Sequence, residues 1–190
     1  MKKLLFRPLT PGRWRDFEKL FSEHGVQKGC WCMWWRMTRE CFHRRYGRGN
    51  RAAMKKIVRA GRVPGIIAYH GRKPVGWCSV APREEFPSLD RSPVLKRIDD
   101  RPVWSITCFF VSKPYRGRGL SRKLIKAALA YSRKRGARIV EAYPVNPGQN
   151  PEALKWIMFS GLSDTFRRLG FKTVSRKSKV RSVVRYYIKS

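Results

Sequence analysis

Apolar residues follow two periods along this chain, and the switches between them mark out its elements. "LLFRPL" predicts a short first strand, and Thr10 followed by Pro11 predicts a helix start, a capping hydroxyl before a proline that suits the first turn. Trp14, Phe17, Leu20 and Phe21 then recur at helical spacing until Gly25, and a second helical stripe, Ala53, Met54, Ile57 and Val58, runs from a capping Asn50 to Gly61. "PGIIAYHGRKPVGWCSVAP" predicts two strands joined by a tight turn at Gly71 to Pro74, and the β-branched and aromatic run "VWSITCFFV" predicts the central strand. Leu120, Leu124, Ile125, Ala128 and Leu129 form the longest stripe, closed by Gly136. "RIVEAYPV" reads as a strand, "SDTFRRLG" as a short helix, and "FKTVSRKS" with "VRSVVRYYI" as a closing antiparallel pair.

Two segments break this alternation. The polar stretch "REEFPSLDRSPVLKRIDDRP" is too long for a routine connection and is expected to act as a lid. A Pro/Gly/Asn-rich segment from Asn146 to Pro151 leads through "EALKWIMFSGL" to the short helix. With 190 residues, 42% of them hydrophobic, the chain suffices for one domain with a proper core. The expected organisation is a single domain over 1–190, with insertions at about 82–102 and 146–162.

Charge adds a constraint on partners. Lys plus Arg number 44 against 12 Asp plus Glu, a formal net charge of +32, so the ligand or surroundings should be anionic. A self-repelling solvated surface and a nucleic-acid or ribosome partner both satisfy this, and charge alone does not choose between them. Glu84, Glu85, Asp90, Asp99 and Asp100 fall in one stretch, a local acidic patch suited to drawing in a cationic amine. No run approaches the roughly 20 apolar residues of a membrane span, and "MKKLLFRPLT" is too short for a signal-peptide core. The expected setting is therefore cytoplasmic, with the five cysteines as thiols or metal ligands rather than disulfides.

Where the central strand gives way to the longest helix stands "VSKPYRGRGLSRKLI". A strand, a glycine turn and a helix start leave backbone N–H groups without helical acceptors, at the positive end of the helix dipole. Gly117 and Gly119 allow close backbone approach, while Arg116 and Arg118 add permanent charge, so the stretch suits a pyrophosphate. No Gly-Lys-Ser/Thr closes it as an ATPase loop, and the third glycine and later acid of a dinucleotide fingerprint are missing.

"FFVSKPYRGRGLSRKLI" resembles the acetyl-CoA motif of the GNAT-type N-acetyltransferases, and "FRRLGFKTV" resembles their closing helix and Gly-Phe strand. The resemblance implies an α/β (α+β) fold with a mixed, mainly antiparallel central sheet flanked by helices. It also implies acetyl-CoA as cofactor and transfer of the acetyl group to a primary amine by direct attack in a ternary complex. Backbone at Phe109 and Val111 would pair with the pantetheine arm, and the N–H groups from Arg116 through Gly117, Arg118, Gly119 and Leu120 to Ser121 would hold the pyrophosphate. Phe166 would pack against the cofactor. The acceptor is an unspecified amine, the protein a monomer or homodimer, and the rival reading is an RNA- or ribosome-associated binding module on the same fold with little turnover.

The chain departs from the family's usual proton-transfer residues. Ser105 stands where a glutamate base is common, and Phe166 where a tyrosine acid is common. Glu141 and Tyr143, alternating on one face of the next strand, are the expected substitutes as base and acid. Cys108 on the central strand reads as a small buried hydrophobe. Cys30, Cys32, Cys41 and His43 have a metal-ligand look, but crowding by Trp31, Trp34 and Trp35 favours an aromatic wall for the acceptor, with core packing as the alternative; no metal is assigned.

Overall fold

The computed structural model describes residues 3–23, 29–146 and 158–189. Seven strands form one sheet in the order β1-β2-β3-β4-β5-β7-β6. They are β1 (Leu4–Pro8), β2 (Gly65–His70), β3 (Lys73–Pro82), β4 (Trp104–Val111), β5 (Ile139–Ala142), β6 (Lys172–Ser175) and β7 (Val183–Tyr187). Every neighbouring pair is antiparallel except β4 with β5. That one parallel pair needs a crossover, which α4 (Leu120–Lys134) supplies. The mixed, mainly antiparallel sheet flanked by helices expected from the sequence is the fold observed.

Period-two alternation sorts the side chains of the sheet onto two faces. Ile67, Tyr69 and Trp77 join α1 (Trp14–Glu23), α3 (Arg48–Arg59) and the cysteine-tryptophan turn in one core. Ile66, Ala68, Cys78 and Val80 join the stripe of α4, Leu120, Leu124, Ile125 and Ala128, in another. Gly76 lets α4 lie close on β3, because a Cβ there would stand 3.2 Å from both Leu120 and Leu124.

Several local expectations are revised by longer-range partners. Thr10 makes no side-chain cap; its hydroxyl instead accepts from the Arg13 guanidinium at 3.1 Å, and a 3-10 turn, Pro11–Arg13, precedes α1. Asn50 is not a cap either, since α3 starts at Arg48. It is wholly buried, and its Nδ2 donates to the carbonyls of Gly29 at 2.9 Å and Phe42 at 3.3 Å. The short α2 (Arg39–Arg44) has the true capping side chain, Thr38, which accepts from the amide of Cys41 at 3.1 Å.

The 82–102 segment is packed rather than poised as a lid. Phe86, Leu89 and Leu95 form a third core with Tyr143 and Val183. Four of its five acids are paired: Glu84 with Arg97, Glu85 with Arg36, Asp90 with Arg83, and Asp99 with Arg101 and Arg185. These partners offset most of the field expected to attract an amine. The insertion expected at about 146–162 falls largely outside the described residues. The closing short helix, α5 (Ser163–Arg167), lies where the sequence places it. Among the described residues, no helix is long and apolar enough to cross a membrane.

Candidate active site

The strands β4 and β5 part company midway. Their pairing runs only from Trp104↔Val140 to Ile106↔Ala142, where β5 ends while β4 continues to Val111. On the other edge β4 remains paired with β3, and the amide of Ser112 donates to Val75 at 3.0 Å. In an antiparallel ladder alternate residues point their N–H and C=O groups to the same side, so those of Phe109 and Val111 face the gap left by β5. Arg116 supports this directly, its Nε donating to the Val111 carbonyl at 3.0 Å.

The gap opens into a cleft of about 780 Å³ that runs from the cysteine turn to the start of α4. Phe109, Val111, Arg116, Gly117, Gly119, Leu120, Ser121 and Phe166, all expected at a cofactor site, line it. Arg118 does not; it is exposed and outside the lining. Gly117 has φ +71° and Gly119 φ +73°, left-handed values that favour glycine. Gly119 caps α4 without a side-chain hydrogen bond. The amides of Gly117, Arg118 and Gly119 find no backbone acceptor among the described residues, so a 15-residue helix opens its free N–H groups toward the cleft. Phe166 is wholly buried, packing edge-on against Phe109 at 6.0 Å and Phe171 at 5.0 Å between ring centroids.

Residues that the sequence reading missed complete the lining. Arg122, one turn into α4, and Arg168, just beyond α5, bring cationic groups to the cleft. Arg122 was legible as the next exposed position after the glycine turn; for Arg168 no local signal exists, since only the fold returns α5 to α4.

Glu141 and Tyr143 lie elsewhere. Both are buried, at 2% and 1% exposure, and neither lines the cleft. Glu141 receives Arg83 Nη1 at 3.0 Å, Arg185 Nε at 2.8 Å and the Tyr143 hydroxyl at 2.7 Å. Tyr143 also receives Arg83 Nη1 at 2.6 Å and shares a 2.8 Å hydrogen bond with Ser105. Burial, reinforced by the neighbouring carboxylate, pushes the Tyr143 phenol well above its usual range. This is the geometry of an ion-pair network holding β4, β5 and β7 together, with both carboxylate oxygens of Glu141 engaged. Such packing does not favour the base and acid roles expected of these two residues.

The tryptophans also differ from expectation. Trp31 stacks on Phe21 at 5.9 Å and on Trp14 at 6.4 Å; the guanidinium of Arg39 covers Trp34, and that of Arg181 covers Trp35. None of the three lines the cleft, so their faces serve the core and the protein's own cations. Phe21, Cys30, Cys32 and Cys108 line its inner end instead. Cys108 is half-buried rather than sealed in the core, on the sheet face opposite Phe109 and Val111. Among the described residues, no group of three or more His, Cys, Asp or Glu side chains could hold a metal ion.

Comparison with known proteins agrees with this architecture. The Acetyltransferase (GNAT) family profile matches residues 31–157. An uncharacterized N-acetyltransferase of Methanocaldococcus jannaschii is 33% identical over 78 residues, which is 41% of this chain and 30% of that protein. The match thus spans under a third of that relative's length. The apo form of an agmatine N-acetyltransferase variant superposes with a TM-score of 0.59 at 11% identity, over 97% of this chain and 99% of the other. The PaiA N-acetyltransferase of Thermoplasma acidophilum, in complex with coenzyme A, gives 0.54 at 11% identity over 98% and 99%. At such identities the superpositions show a common fold. The family profile covers more than half of the sequence, from the cysteine turn past β5, and the chain belongs to the acetyltransferase (GNAT) family.

Proposed function

We propose that the protein transfers the acetyl group of acetyl-CoA to a primary amine by direct attack in a ternary complex. The observation that carries this reading is the cleft between the diverging β4 and β5, which ends at uncapped amides of the Gly117–Gly119 turn. These groups fit the cofactor. Outward-facing backbone of Phe109 and Val111 would pair with the amide-bearing arm as an added strand does, and the turn, with Arg122 and Arg168, would hold the phosphates. Bound there, acetyl-CoA would supply an activated acyl carbon as a thioester. The β4 side chains on the α4 face, Phe109 and Val111, lie on the side that helix covers. The acceptor then enters from the opposite face, past Phe21, Cys30 and Cys108.

Thiol release from acetyl-CoA across a panel of small amines, polyamines and peptides tests the activity, alongside calorimetric titration of coenzyme A. Release with at least one amine is expected, and absence of any heat on titration with coenzyme A sinks the reading. A second reading, an RNA- or ribosome-associated module with little turnover, is favoured by one observation, the net charge of +32. Retention on RNA that falls steeply with salt, together with no thiol release from any amine, would select it.

A further inference from the structure

Cys30 and Met33 close a tight turn, the Met33 amide donating to the Cys30 carbonyl at 2.9 Å. Its two central residues, Trp31 at φ 47° and Cys32 at φ 60°, are the non-glycine residues with positive φ among those described. That conformation favours Asn or Gly, and side chains adopt it where surrounding packing insists. Here the Trp31 ring is clamped between Phe21 and Trp14, and the turn so held delivers Cys32 to the inner end of the cleft. Trp77 donates its indole Nε1–H to Cys32 Sγ at 3.3 Å, and Cys108, whose thiol donates to the Phe109 carbonyl at 3.9 Å, lies near the same sulfur.

We propose that Cys32 is the proton acceptor for the incoming amine, its sulfur held by the Trp77 indole N–H at the acceptor end of the cleft. The proposal rests on the acetyl-transfer reading above. That reaction needs a proton acceptor, and the carboxylate best placed by sequence, Glu141, is engaged by three donors away from the cleft. The one carboxylate among the described residues lining the cleft is Asp164, on α5 beside Phe166 and away from the cysteines.

Around Cys32 stand Cys30 from its own turn, Cys108 from β4, Ser79 from β3, and Arg36 with its partner Glu85, while Cys78 lies on the other face of β3, near enough to feel its charge. The neighbouring Cys108 thiol, the Trp77 hydrogen bond and the Arg36 charge outweigh burial and bring the Cys32 thiol down to about 7. Burial pushes Cys30 up to about 11 and Cys78 well above its ordinary value, and Cys108, beside Cys32, is also raised well above it. Of the cluster's thiols, Cys32 is thus the one whose surroundings favour the thiolate. One ammonium proton passes to Cys32 Sγ; the C–N bond forms as the thioester C–S bond breaks; the second nitrogen proton neutralises the departing thiolate. Cys32 then returns its proton to water.

Two measurements on the full-length protein test this. In the absence of acetyl-CoA, iodoacetamide modification mapped to Cys32 should rise with a midpoint near pH 7; a midpoint near 9 overturns the proposal. In turnover, kcat/KM should rise with pH through about 7, and Cys32→Ala should lose about 10²–10⁴-fold and that limb together. An amine already deprotonated at assay pH should recover most of the loss. Full activity of Cys32→Ala with its limb intact, or an acetyl group trapped on Cys32 by acetyl-CoA alone, overturns the role while leaving acetyl transfer standing. No thiol release with any amine sinks both.

Discussion

Arg83 and Glu141, 58 positions apart in the chain, meet Nη1 to Oε1 at 3.0 Å with their side chains 1% and 2% exposed. Arg185 takes the other carboxylate oxygen from β7, and Asp90 and Asp99 bind the far sides of the two guanidinium groups. The 82–102 segment is thereby tied to the sheet at two points, Arg83 to Glu141 and Asp99 to Arg185.

Removing the central charge should therefore damage the fold before it touches chemistry. A buried pair that loses one partner leaves the other charge desolvated, at about 3–5 kcal/mol. Glu141→Gln should lower the urea midpoint accordingly with an unchanged slope, while the folded fraction binds coenzyme A as the parent does. Normal stability with lost turnover would instead assign Glu141 to the reaction.

The glycine turn makes a different prediction. An added Cβ at Gly117 meets no atom within 4 Å, so Gly117→Ala introduces backbone strain and no clash. Holding alanine in the left-handed region costs about 1–2 kcal/mol, and if binding demands that conformation, coenzyme A affinity falls about 5–30-fold. Calorimetry should record that loss with overall stability little changed; an unaltered Kd would show that the turn does not grip the ligand.

Arg122 and Arg168 supply cationic groups at the same end of the cleft. Charge-assisted hydrogen bonds contribute about 1.5–3 kcal/mol, so Arg122→Ala and Arg168→Ala should each weaken coenzyme A binding about 10–100-fold. S-acetylpantetheine lacks the nucleotide and should be used equally well by parent and variants. An equal loss with both thioesters would place the arginines on the acyl side.

Acid stability should depend on Asp99. Hydrogen bonds from Arg185 and Arg101 hold its carboxyl well below the usual range. A depressed folded-state value contributes stability that is fully present above the unfolded value near pH 4 and is lost as pH falls toward the folded one. The stability gap between the parent and Asp99→Asn should be constant above about pH 5 and close progressively below it. A gap that widens in acid would reverse the sign and remove the assignment.

How much of this was legible in the chain depends on how far apart the interacting residues lie. The stripe of α4, its closing Gly136 and the positive-φ glycines before it are written within a few residues of one another, and so are the strand runs with their period of two. Thr10 and Asn50 show the limit even of local rules: a guanidinium takes the Thr10 oxygen in place of a helix amide, and Asn50 sits inside α3 with its Nδ2 donating to two carbonyls outside that helix.

By itself, then, the sequence determined the order of elements and the anion-ready turn, since each follows from backbone preferences and side-chain periodicity over short spans, and it implied the mixed sheet through its resemblance to a known family. Only the tertiary structure decided which titratable groups face the cleft. Glu141 turned inward because Arg83 and Arg185 arrive there from segments 58 and 44 positions away. Cys32 reached the cleft because ring packing from α1 forces its turn into a left-handed bend beside Cys108. Burial and hydrogen bonding between such remote residues set their charge states, and no window along the chain contains both partners.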